Sequence, residues 1–368
     1  MVVPTPFYVL RGHSSSVTSV LFDANEYLYS GDEAGFVICW CLTSMRPKCA
    51  WRAHTKTILG MQIVKGGALC THGRDCRLVT WKIDFNCMTD NFMSLSKLAE
   101  LQNYGPEASS ETEKSSAFIS IHSNIVVNSL TFCPFSYSPQ SKIVVLCNTL
   151  NFEELDVYDD ESLYHPQTHK EDCGKRLQTR IQPEESVGKT GSVMSTSVTV
   201  TDEKYVLLAA GYESGHVVQY ICSLENVKTV TLDFKAVWKM VYAYKSHSQP
   251  VLSVEYAGSK LFSTGADDCI CLHPTPSSIA DDLGSLPHPI FRKTKHCGQQ
   301  NIRIRSDNKI LATAGWDGRG RVYSCQTLAP LAVLKYHSDG INSLAFHPGS
   351  NVIALASKDT RISLWKLY

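Results

Sequence analysis

The sequence lacks several features that would place it in a specialised class of protein. Its 35 Lys and Arg residues balance 35 Asp and Glu residues, so no net charge attracts nucleic acid or an anionic membrane. No apolar run approaches the roughly 20 residues that a membrane-spanning helix needs. The first residues carry no basic region, apolar stretch or small-residue cleavage site of the kind that defines a signal peptide. We therefore expect a soluble intracellular protein.

The 14 cysteines do not have the spacing of a metal site. No Cys-x-x-Cys pair occurs in the chain, although that spacing is the usual sign of structural zinc. Cys39 and Cys41, like Cys269 and Cys271, instead have the two-residue period of one face of a strand. In an intracellular protein we expect buried thiols rather than disulfides. No metal and no other cofactor is predicted.

What the sequence does contain is a repeat. A His is followed 27 or 28 residues later by a Trp in three places, His13 and Trp40, His54 and Trp81, and His337 and Trp365. The first two pairs are offset from each other by 41 residues. This spacing is typical of WD repeats, each of which forms one four-stranded blade of a β-propeller.

Seven units can be counted, because weaker copies fill the middle of the chain. Each has an aromatic residue or a substitute at the end of its predicted third strand, at Trp40, Trp81, Tyr158, Tyr220, His273, Tyr323 and Trp365. Seven blades lie within the usual range of four to eight. We predict an all-β fold in which residues 1–368 form a single seven-bladed WD-repeat propeller.

The two ends of the sequence are predicted to share one blade. Residues 362–368 look like a third strand with no fourth strand after it, and residues 5–10 can supply the missing outer strand. This pairing would close the ring and leave only short exposed edges. The extra length is expected in polar insertions near residues 101–116, 159–192 and 274–289.

Each regular unit is predicted to hold a buried hydrogen-bond chain of His, Ser or Thr, Asp and Trp, which locks its strands together. The Asp is expected six residues before the Trp, with the hydroxyl just upstream. Two sets look complete, namely His54, Thr71, Asp75 and Trp81, and His337, Ser357, Asp359 and Trp365. The first unit is predicted to be incomplete, because Ala34 stands at its Asp position.

The recurrence of these sets argues against catalysis. Ser or Thr, His and Asp also make up a hydrolase triad, but a triad occurs once, beside an oxyanion hole, and not as a repeating brace. The stretch Val187–Thr190 resembles the end of a phosphate-binding loop, yet Pro183 stands where that loop needs its first Gly. We predict no enzymatic activity and no catalytic or cofactor-binding residue.

Candidate partner-binding residues lie on turns at one end of the predicted propeller, here called the top face. The residues just before the expected Asp are Arg74, Ala266, Trp316 and Lys358, and Arg319 follows Trp316 closely. An exposed Trp beside an Arg has the composition of an interaction hot spot. The alternative is that Trp316 packs onto a loop of a neighbouring blade. We predict partner binding at Arg74, Trp316, Arg319 and Lys358.

Charge is uneven in two places. Residues 292–321 hold eight Lys and Arg against Asp307 and Asp317, and residues 153–161 hold six acids and no base. Two interpretations are open: an ordinary solvated surface, or a basic patch that docks an acidic protein partner in preference to nucleic acid.

Several segments are more specific than a generic blade. They are residues 4–7, 31–40, 53–60, 72–83, 312–323 and 334–343. Together they resemble the fungal ASTRA-associated WD-repeat protein family, whose animal relatives are the guanine nucleotide-binding protein beta-like proteins. The resemblance fades between about residues 100 and 200, and Gly320 departs from it, at a position where an apolar strand residue is expected.

The resemblance implies a non-catalytic scaffold subunit of the nuclear ASTRA assembly, involved in chromatin remodelling and linked to maturation of phosphatidylinositol-3-kinase-related kinases. The implied partners are RuvB-like ATPases, a kinase-related pseudokinase and kinase-maturation cochaperones, without direct contact to nucleic acid or membrane. The implied location is the nucleus, with the cytoplasm as a second site.

Two alternatives are a generic WD-repeat adaptor and a substrate receptor of a cullin ubiquitin ligase. The second is suggested by the box Trp316-Asp-Gly-Arg319. In such receptors the Trp closes the third strand, whereas Trp316 is predicted to lie in a turn.

Overall fold

The structure, a computed structural model, describes residues 4–24, 26–85, 92–103, 118–163, 176–233, 235, 237–278 and 286–367. These residues form seven antiparallel sheets of four strands, and each sheet is one blade of a propeller. The predicted seven-bladed all-β fold is confirmed.

The first strand, β1 (Tyr8–Arg11), lies at the outer edge of the last blade. Blades 1 to 3 then follow in chain order. Their strands are β2 (Val17–Phe22), β3 (Tyr27–Asp32), β4 (Phe36–Cys41) and β5 (Arg46–Arg52); β6 (Ile58–Ile63), β7 (Leu69–Gly73), β8 (Arg77–Ile83) and β9 (Ile119–Val126); and β10 (Ser136–Ser138), β11 (Ile143–Cys147), β12 (Leu155–Asp159) and β13 (Arg176–Ile181).

Blades 4 to 6 repeat the same order of four consecutive strands. Their strands are β14 (Val193–Thr201), β15 (Tyr205–Tyr212), β16 (His216–Ser223) and β17 (Lys239–Lys245); β18 (Val251–Ala257), β19 (Lys260–Gly265), β20 (Cys269–His273) and β21 (Ile290–Lys293); and β22 (Gln299–Ile304), β23 (Ile310–Gly315), β24 (Arg319–Ser324) and β25 (Pro330–Lys335).

Blade 7 joins the two ends of the chain. It consists of β26 (Ile341–Phe346), β27 (Val352–Ser357), β28 (Arg361–Lys366) and, on the outside, β1. Leu10 lies opposite Ile362 and Arg11 opposite Arg361 in an antiparallel register. The predicted closure of the ring by an N-terminal strand is confirmed.

Burial follows the place of a strand within its blade. All five residues of β11 are buried, and they form the continuous apolar run that is typical of a strand covered on both faces. All four residues of the outer strand β21 are exposed. The first strands of the blades line a central cavity of about 980 Å³.

Helix α1 (Leu95–Asn103) was not predicted, and it covers the seam between blades 7 and 1. Leu98 is fully buried against Trp40 and Leu10. The Gln102 side chain donates to the Gly12 carbonyl (2.9 Å) and accepts from the Ser14 amide (2.8 Å). Among the described residues, no helix has the length and apolar character needed to cross a bilayer.

The three predicted insertions have different outcomes. The one near 101–116 begins inside α1, and its remainder from residue 104 lies outside the described residues. The prediction of one continuous insertion at 159–192 is wrong for residues 176–181, because β13 pairs with β12 and buries Leu177 and Ile181. Described residues 274–278 and 286–289 hold neither helix nor strand.

Short 3-10 turns occupy three of the connections, at Lys65–Gly67, Asp160–Leu163 and Glu185–Val187. Eight of the twelve described cysteines are buried, and all twelve are free thiols.

Candidate protein-interaction face

The top face is formed by the loops that lead into the first strands and by the turns between the second and third strands. In a regular blade, the first kind of loop carries the His and the second kind of turn carries the Asp. The same groups that brace a blade therefore fix the backbone from which the top-face side chains project.

Blade 2 holds the complete predicted set. Nδ1 of His54 lies 2.9 Å from Asp75 Oδ1, and because a carboxylate only accepts, this nitrogen carries the proton. Nε2 of His54 accepts from the Thr71 hydroxyl (2.7 Å), whose oxygen in turn accepts from the Trp81 indole (2.9 Å). The structure brings all four residues together in one chain of hydrogen bonds.

Blade 7 corrects the predicted hydroxyl. His337 contacts Asp359 (2.9 Å), but its Nε2 lies 2.8 Å from Ser363 Oγ, which also accepts from the Trp365 indole at 2.8 Å. Ser357 instead donates to the backbone oxygen of Gly340 or Asp339. The prediction of Ser357 is therefore wrong, and the tetrad hydroxyl is Ser363.

The physical reason lies in the strand register. The second-strand position that holds Thr71 in blade 2 holds Leu355 in blade 7, and Leu355 lies directly opposite Ser363 on β28. Side chains opposite each other on paired strands are about 4.5–5.5 Å apart. A hydroxyl on either strand therefore reaches the same His and Trp.

Blade 1 corrects a second prediction, since its tetrad is complete. Asp32, at the end of β3, lies 2.7 Å from His13 Nδ1, and the hydroxyl of Ser30 bridges His13 and Trp40 at 2.7 Å on each side. Asp32 also accepts from the amides of Ala34 (3.0 Å) and Phe36 (2.9 Å). The carboxylate comes from a position two residues before the expected one.

The equivalent position in blade 2 is Gly73, and a Cβ on it would lie 2.3 Å from His54 Nδ1. Blade 5 also has a Gly there, Gly265, whereas blade 7 accommodates Ser357 beside an Asp on the turn. Blade 1 uses the site for Asp32 itself.

Blade 5 extends the chain by one member. His247 lies between Asp267 (2.9 Å) and Ser263 (2.8 Å), and His273 replaces Trp as the donor to the Ser263 oxygen (2.7 Å). Nδ1 of His273 then accepts from the Tyr242 hydroxyl at 3.2 Å. Burial, aided by the charge of His247, lowers the pKa of His273 to about 3, so this imidazole is neutral.

Three tetrad carboxyl groups have lowered pKa values. Burial by itself raises the pKa of Asp75, but the hydrogen bond and charge of His54 and the Thr55 amide outweigh burial, so its pKa is lowered. The same balance lowers the pKa values of Asp267 and Asp359. These three blades thus favour the anionic form of the carboxyl group, beside an imidazole whose second nitrogen is engaged by a hydroxyl.

Blade 6 is braced differently, although His296 and Tyr323 have the repeat spacing. The His296 ring is half exposed, and its Nδ1 is 3.9 Å from Asp317, too far for a hydrogen bond. Asp317 instead forms a bidentate pair with the buried Arg321, at 3.0 and 2.6 Å. Gln299 takes the place of the His and accepts from the Thr313 hydroxyl (2.7 Å).

Blade 3 uses a network without His. Asp156 is fully buried, accepts from the Asn148 side chain at 2.8 Å and lies 3.4 Å from the Arg176 guanidinium. Arg176 also donates to the Tyr158 hydroxyl (2.9 Å), and Tyr158 stands at the Trp position.

In blade 4 the position of the Trp is taken by the buried Tyr220, whose hydroxyl lies 3.5 Å from that of Tyr212. Ser214, at the Asp position, pairs with His216 Nδ1 at 2.7 Å. No carboxylate enters this brace among the described residues.

Three of the four predicted partner-binding residues lie along the central cavity. Arg74, Trp316 and Lys358 all line it, and Phe132 lies among them. Arg319 does not line it; it begins β24 and lies 3.9 Å from Asp317. The top face thus groups an aromatic ring with two cations.

Trp316 is partly exposed, and its ring packs on its own blade instead of on the loop of a neighbouring blade. Its indole donates to Gln300 Oε1 (2.8 Å), and its ring covers Gly298, where a Cβ would lie 2.1 Å from the ring. The side chain is nevertheless 46 % exposed. Trp316 therefore packs on the entry loop of its own blade while one face remains open to solvent.

The two uneven charge runs are largely compensated within the fold. In the basic run, Arg321 pairs with Asp317, Arg305 with Asp307 (2.7 Å) and Arg303 with Glu255 (2.9 Å). In the acidic run, ion pairs join Glu154 to Arg180, Asp156 to Arg176 and Asp159 to Lys228. This pairing favours an ordinary surface over one continuous basic patch.

The chemistry of the tetrads is structural. The side chain of every tetrad His is buried and has both ring nitrogens engaged, and the bridging hydroxyls accept from an indole or an imidazole. Among the described residues, no three His, Cys, Asp or Glu side chains are placed to hold a metal ion.

Comparison with known proteins gives consistent matches. The sequence profile of ASTRA-associated protein 1 matches residues 6–342, and that of the WD domain, G-beta repeat, matches residues 328–366. ASTRA-associated protein 1 of Schizosaccharomyces japonicus is 47 % identical, with 100 % of both chains covered. The protein of the same name from Aspergillus niger is 36 % identical, over 93 % of this chain and 80 % of its own. Mouse guanine nucleotide-binding protein subunit beta-like protein 1 is 27 % identical, over 99 % and 97 %.

Proposed function

Because the chain belongs to the ASTRA-associated protein 1 family, we propose that it is a non-catalytic scaffold subunit of the ASTRA assembly. The observation that carries this proposal is the 47 % identity over the full length of a relative that bears that name. The scaffold acts in chromatin remodelling and in the maturation of phosphatidylinositol-3-kinase-related kinases. Its place of action is the nucleus, with the cytoplasm as a second site.

The proposed partners are RuvB-like ATPases, a kinase-related pseudokinase and kinase-maturation cochaperones. A scaffold needs accessible side chains on a rigid support. The top face offers Arg74, Trp316 and Lys358 along one cavity. Tetrads hold the turns of Arg74 and Lys358, and the pair of Asp317 with Arg321 holds the turn of Trp316. Arg319 lies at the edge of this group.

The absence of catalysis is proposed from how the reactive groups are used. A hydrolase nucleophile has to face a substrate, beside an oxyanion hole. Here each tetrad hydroxyl lies inside a blade, bonded on one side to His and on the other to Trp or His. Such a group is engaged before any substrate arrives.

Affinity purification tests the assignment. The tagged full chain is captured at physiological and at high salt, and the co-eluting proteins are quantified by mass spectrometry. We expect RuvB-like ATPases and kinase-maturation factors at both salt concentrations. A cullin adaptor in their place would support the ubiquitin-ligase alternative and contradict the proposal.

Trp316→Ala serves as the interface variant in the same experiment. We expect weaker capture and a nearly unchanged melting temperature, since one face of the ring is open to solvent. Trp316→Phe, which keeps a ring over Gly298, is the matched control. A large drop in melting temperature for Trp316→Ala would identify the residue as a packing residue instead.

A further inference from the structure

Four large apolar side chains project from the top of blade 3. Leu130 is 70 % exposed, Phe132 61 %, Leu150 93 % and Phe152 47 %. The first two stand on the loop that enters β10, and the other two on the turn between β11 and β12. We call these four residues the blade 3 surface. Clustered exposed apolar groups of this kind mark interaction sites rather than ordinary solvent-facing positions.

The loop that carries Leu130 and Phe132 alternates strictly between buried and exposed residues. Ser129, Thr131 and Cys133 are buried, and the two apolar residues between them point outward. Ser129 Oγ lies 2.7 Å from Nε2 of the buried His72 in blade 2. The loop is therefore anchored at every second residue.

Two buried asparagines fix the backbone at the two leucines. Asn128 Oδ1 accepts from the Leu130 amide, and Asn148 Oδ1 accepts from the Leu150 amide, both at 2.8 Å. The Asn128 side chain also donates to the Asn148 carbonyl and so ties the two loops together. A satisfied buried polar network of this kind rigidifies the segment that it supports.

This arrangement favours binding, because the exposed leucines are held in fixed positions in advance. Ordering flexible side chains and loops is one of the main costs of association, and a preformed surface avoids part of it. Leu130 and Leu150 are thus held in exposed positions by the buried side chains of Asn128 and Asn148.

The charges beside the surface differ between its two ends. On the blade 2 side, the Arg74 guanidinium lies 4.5 Å from the centroid of the Phe132 ring and makes no ion pair with any described residue. On the blade 4 side, the Phe152 carbonyl accepts from Val193, and the exposed Glu153 and Glu213 lie on neighbouring turns. One end is cationic and the other is anionic.

From the apolar centre and the opposite charges at its two ends, we propose that the blade 3 surface docks an amphipathic segment of a partner protein. The segment has apolar residues at its centre, an Asp or Glu at the end over Arg74, and a Lys or Arg at the end near Glu153 and Glu213. The inference rests on the proposed function, because it takes the partner to be a subunit of the ASTRA assembly.

Photo-cross-linking tests what occupies the surface. Leu150 is replaced by p-benzoylphenylalanine in the tagged full chain, the assembly is captured and irradiated, and the cross-linked peptide is identified by mass spectrometry. We expect a peptide from another subunit with central apolar residues and charges of opposite sign at its ends. A cross-link to this chain itself, or to a peptide with a basic residue at the Arg74 end, would overturn the proposal.

A matched pair of double variants tests the contribution to binding. Leu130→Ser with Leu150→Ser should weaken capture of the assembly at least about tenfold, the loss typical of an interface hot spot. The control is Leu232→Ser with Leu331→Ser, since those leucines are also exposed but lie outside the blade 3 surface. Melting temperatures should stay equal in both variants.

The outcomes separate the two proposals. If the wild-type chain captures no ASTRA subunit, the proposed function fails. If wild type and both double variants capture the assembly equally, the proposed function stands and the blade 3 surface is overturned. If the control loses capture as fully as the test variant, the effect is not specific to blade 3 and the inference is again overturned.

Discussion

Blades 1, 2, 5 and 7 differ from blades 3, 4 and 6 in how their strands are held together. The first group uses an Asp, a His and a bridging hydroxyl, with distances of 2.7–2.9 Å along the chain. The second group uses an Arg–Asp pair in blade 6, an Asn–Asp–Arg network in blade 3 and a pair of tyrosines in blade 4.

The comparison teaches that the fold requires a connection between the entry loop, the turn and the third strand, and not one particular set of residues. Even the regular blades vary, since Asp32 and Ser363 supply their groups from unexpected positions. The irregular blade 3 is also the one whose buried network supports exposed apolar residues. A brace without the tetrad geometry leaves the entry loop free to take a different shape.

The largest effect is expected where a regular brace is broken at its most buried member. Asp32 is fully buried, and removing its carboxylate leaves the His13 imidazole and the amides of Ala34 and Phe36 without their hydrogen-bond acceptor. Asp32→Ala should lower the free energy of unfolding by about 3–5 kcal/mol, because three donors lose their acceptor at a cost of roughly 1–3 kcal/mol each. Urea unfolding measures it, and Asp307→Ala, in an exposed ion pair, should cost less than about 1 kcal/mol.

The stability lost with Asp32 can be restored by a second substitution in the same turn. Asp32→Gly combined with Ala34→Asp reproduces the Gly73 and Asp75 arrangement of blade 2, and the following residue has positive φ in both turns, at Gly35 and Cys76. The double variant should recover most of the loss. Recovery no better than that of Asp32→Gly alone would show that the two arrangements are not interchangeable.

A smaller effect distinguishes blade 5 by its pH dependence. The pKa of His273 is about 3 in the folded chain because of burial, against about 6.5 when unfolded. Between these values the unfolded state holds a proton that the folded state does not, so stability falls as pH falls, by roughly 1.4 kcal/mol per pH unit.

The His273→Trp variant has the Trp of the other tetrads. When the pH falls from 6.5 to 5, its free energy of unfolding should therefore decrease by about 2 kcal/mol less than that of wild type. The free energy of unfolding is measured at several pH values, and only the slopes are compared. His72, whose pKa burial also lowers to about 3, remains in both chains and contributes equally. Identical slopes would contradict this account of the blade 5 chain.

The smallest contrast concerns the hydroxyl of blade 7. Ser363→Ala leaves His337 and the Trp365 indole without their shared partner and should cost about 2 kcal/mol. Ser357→Ala removes hydrogen bonds to backbone groups alone, a carbonyl of Gly340 or Asp339 and the Asp359 amide, and should cost about 1 kcal/mol. Thermal unfolding of the two variants tests the order, and the reverse order would restore Ser357 to the tetrad.

The fold could be predicted from the sequence because it is marked by a repeat along the whole chain, which is still recognisable where single residues differ. The third strands end where His273 and Tyr323 replace Trp, and the family resemblance carried by short motifs is confirmed by the matches over residues 6–342. Helix α1 was missed because it occurs once, outside the repeat. Its local signal was Ser94, which caps the first turn by accepting from the Lys97 amide at 3.2 Å.

The tetrad residues were harder to predict from the sequence, because spacing along the chain does not reveal which residue lies opposite on the next strand. Ser363 could have been considered from its place two residues before Trp365, on the same face of the strand. Predicting the role of Asp32 would have required the knowledge that carboxylates from two backbone positions can reach the same His. The blade 3 surface gave no sequence signal, since exposed leucines next to Asn and Thr read as an ordinary buried strand.

The closure of blade 7 by β1 has a consequence for how the protein is made. Arg11 and Arg361 face each other in the sheet although 350 residues separate them. A ribosome adds about 5–20 residues per second, so β1 waits for its partner strand on the order of tens of seconds. Throughout that time Leu10 lacks Ile362 and Leu364, two of the apolar residues in the core cluster to which it belongs. The seventh blade thus forms only in a chain that has been synthesised as far as β28, since β1 has no partner strand before then.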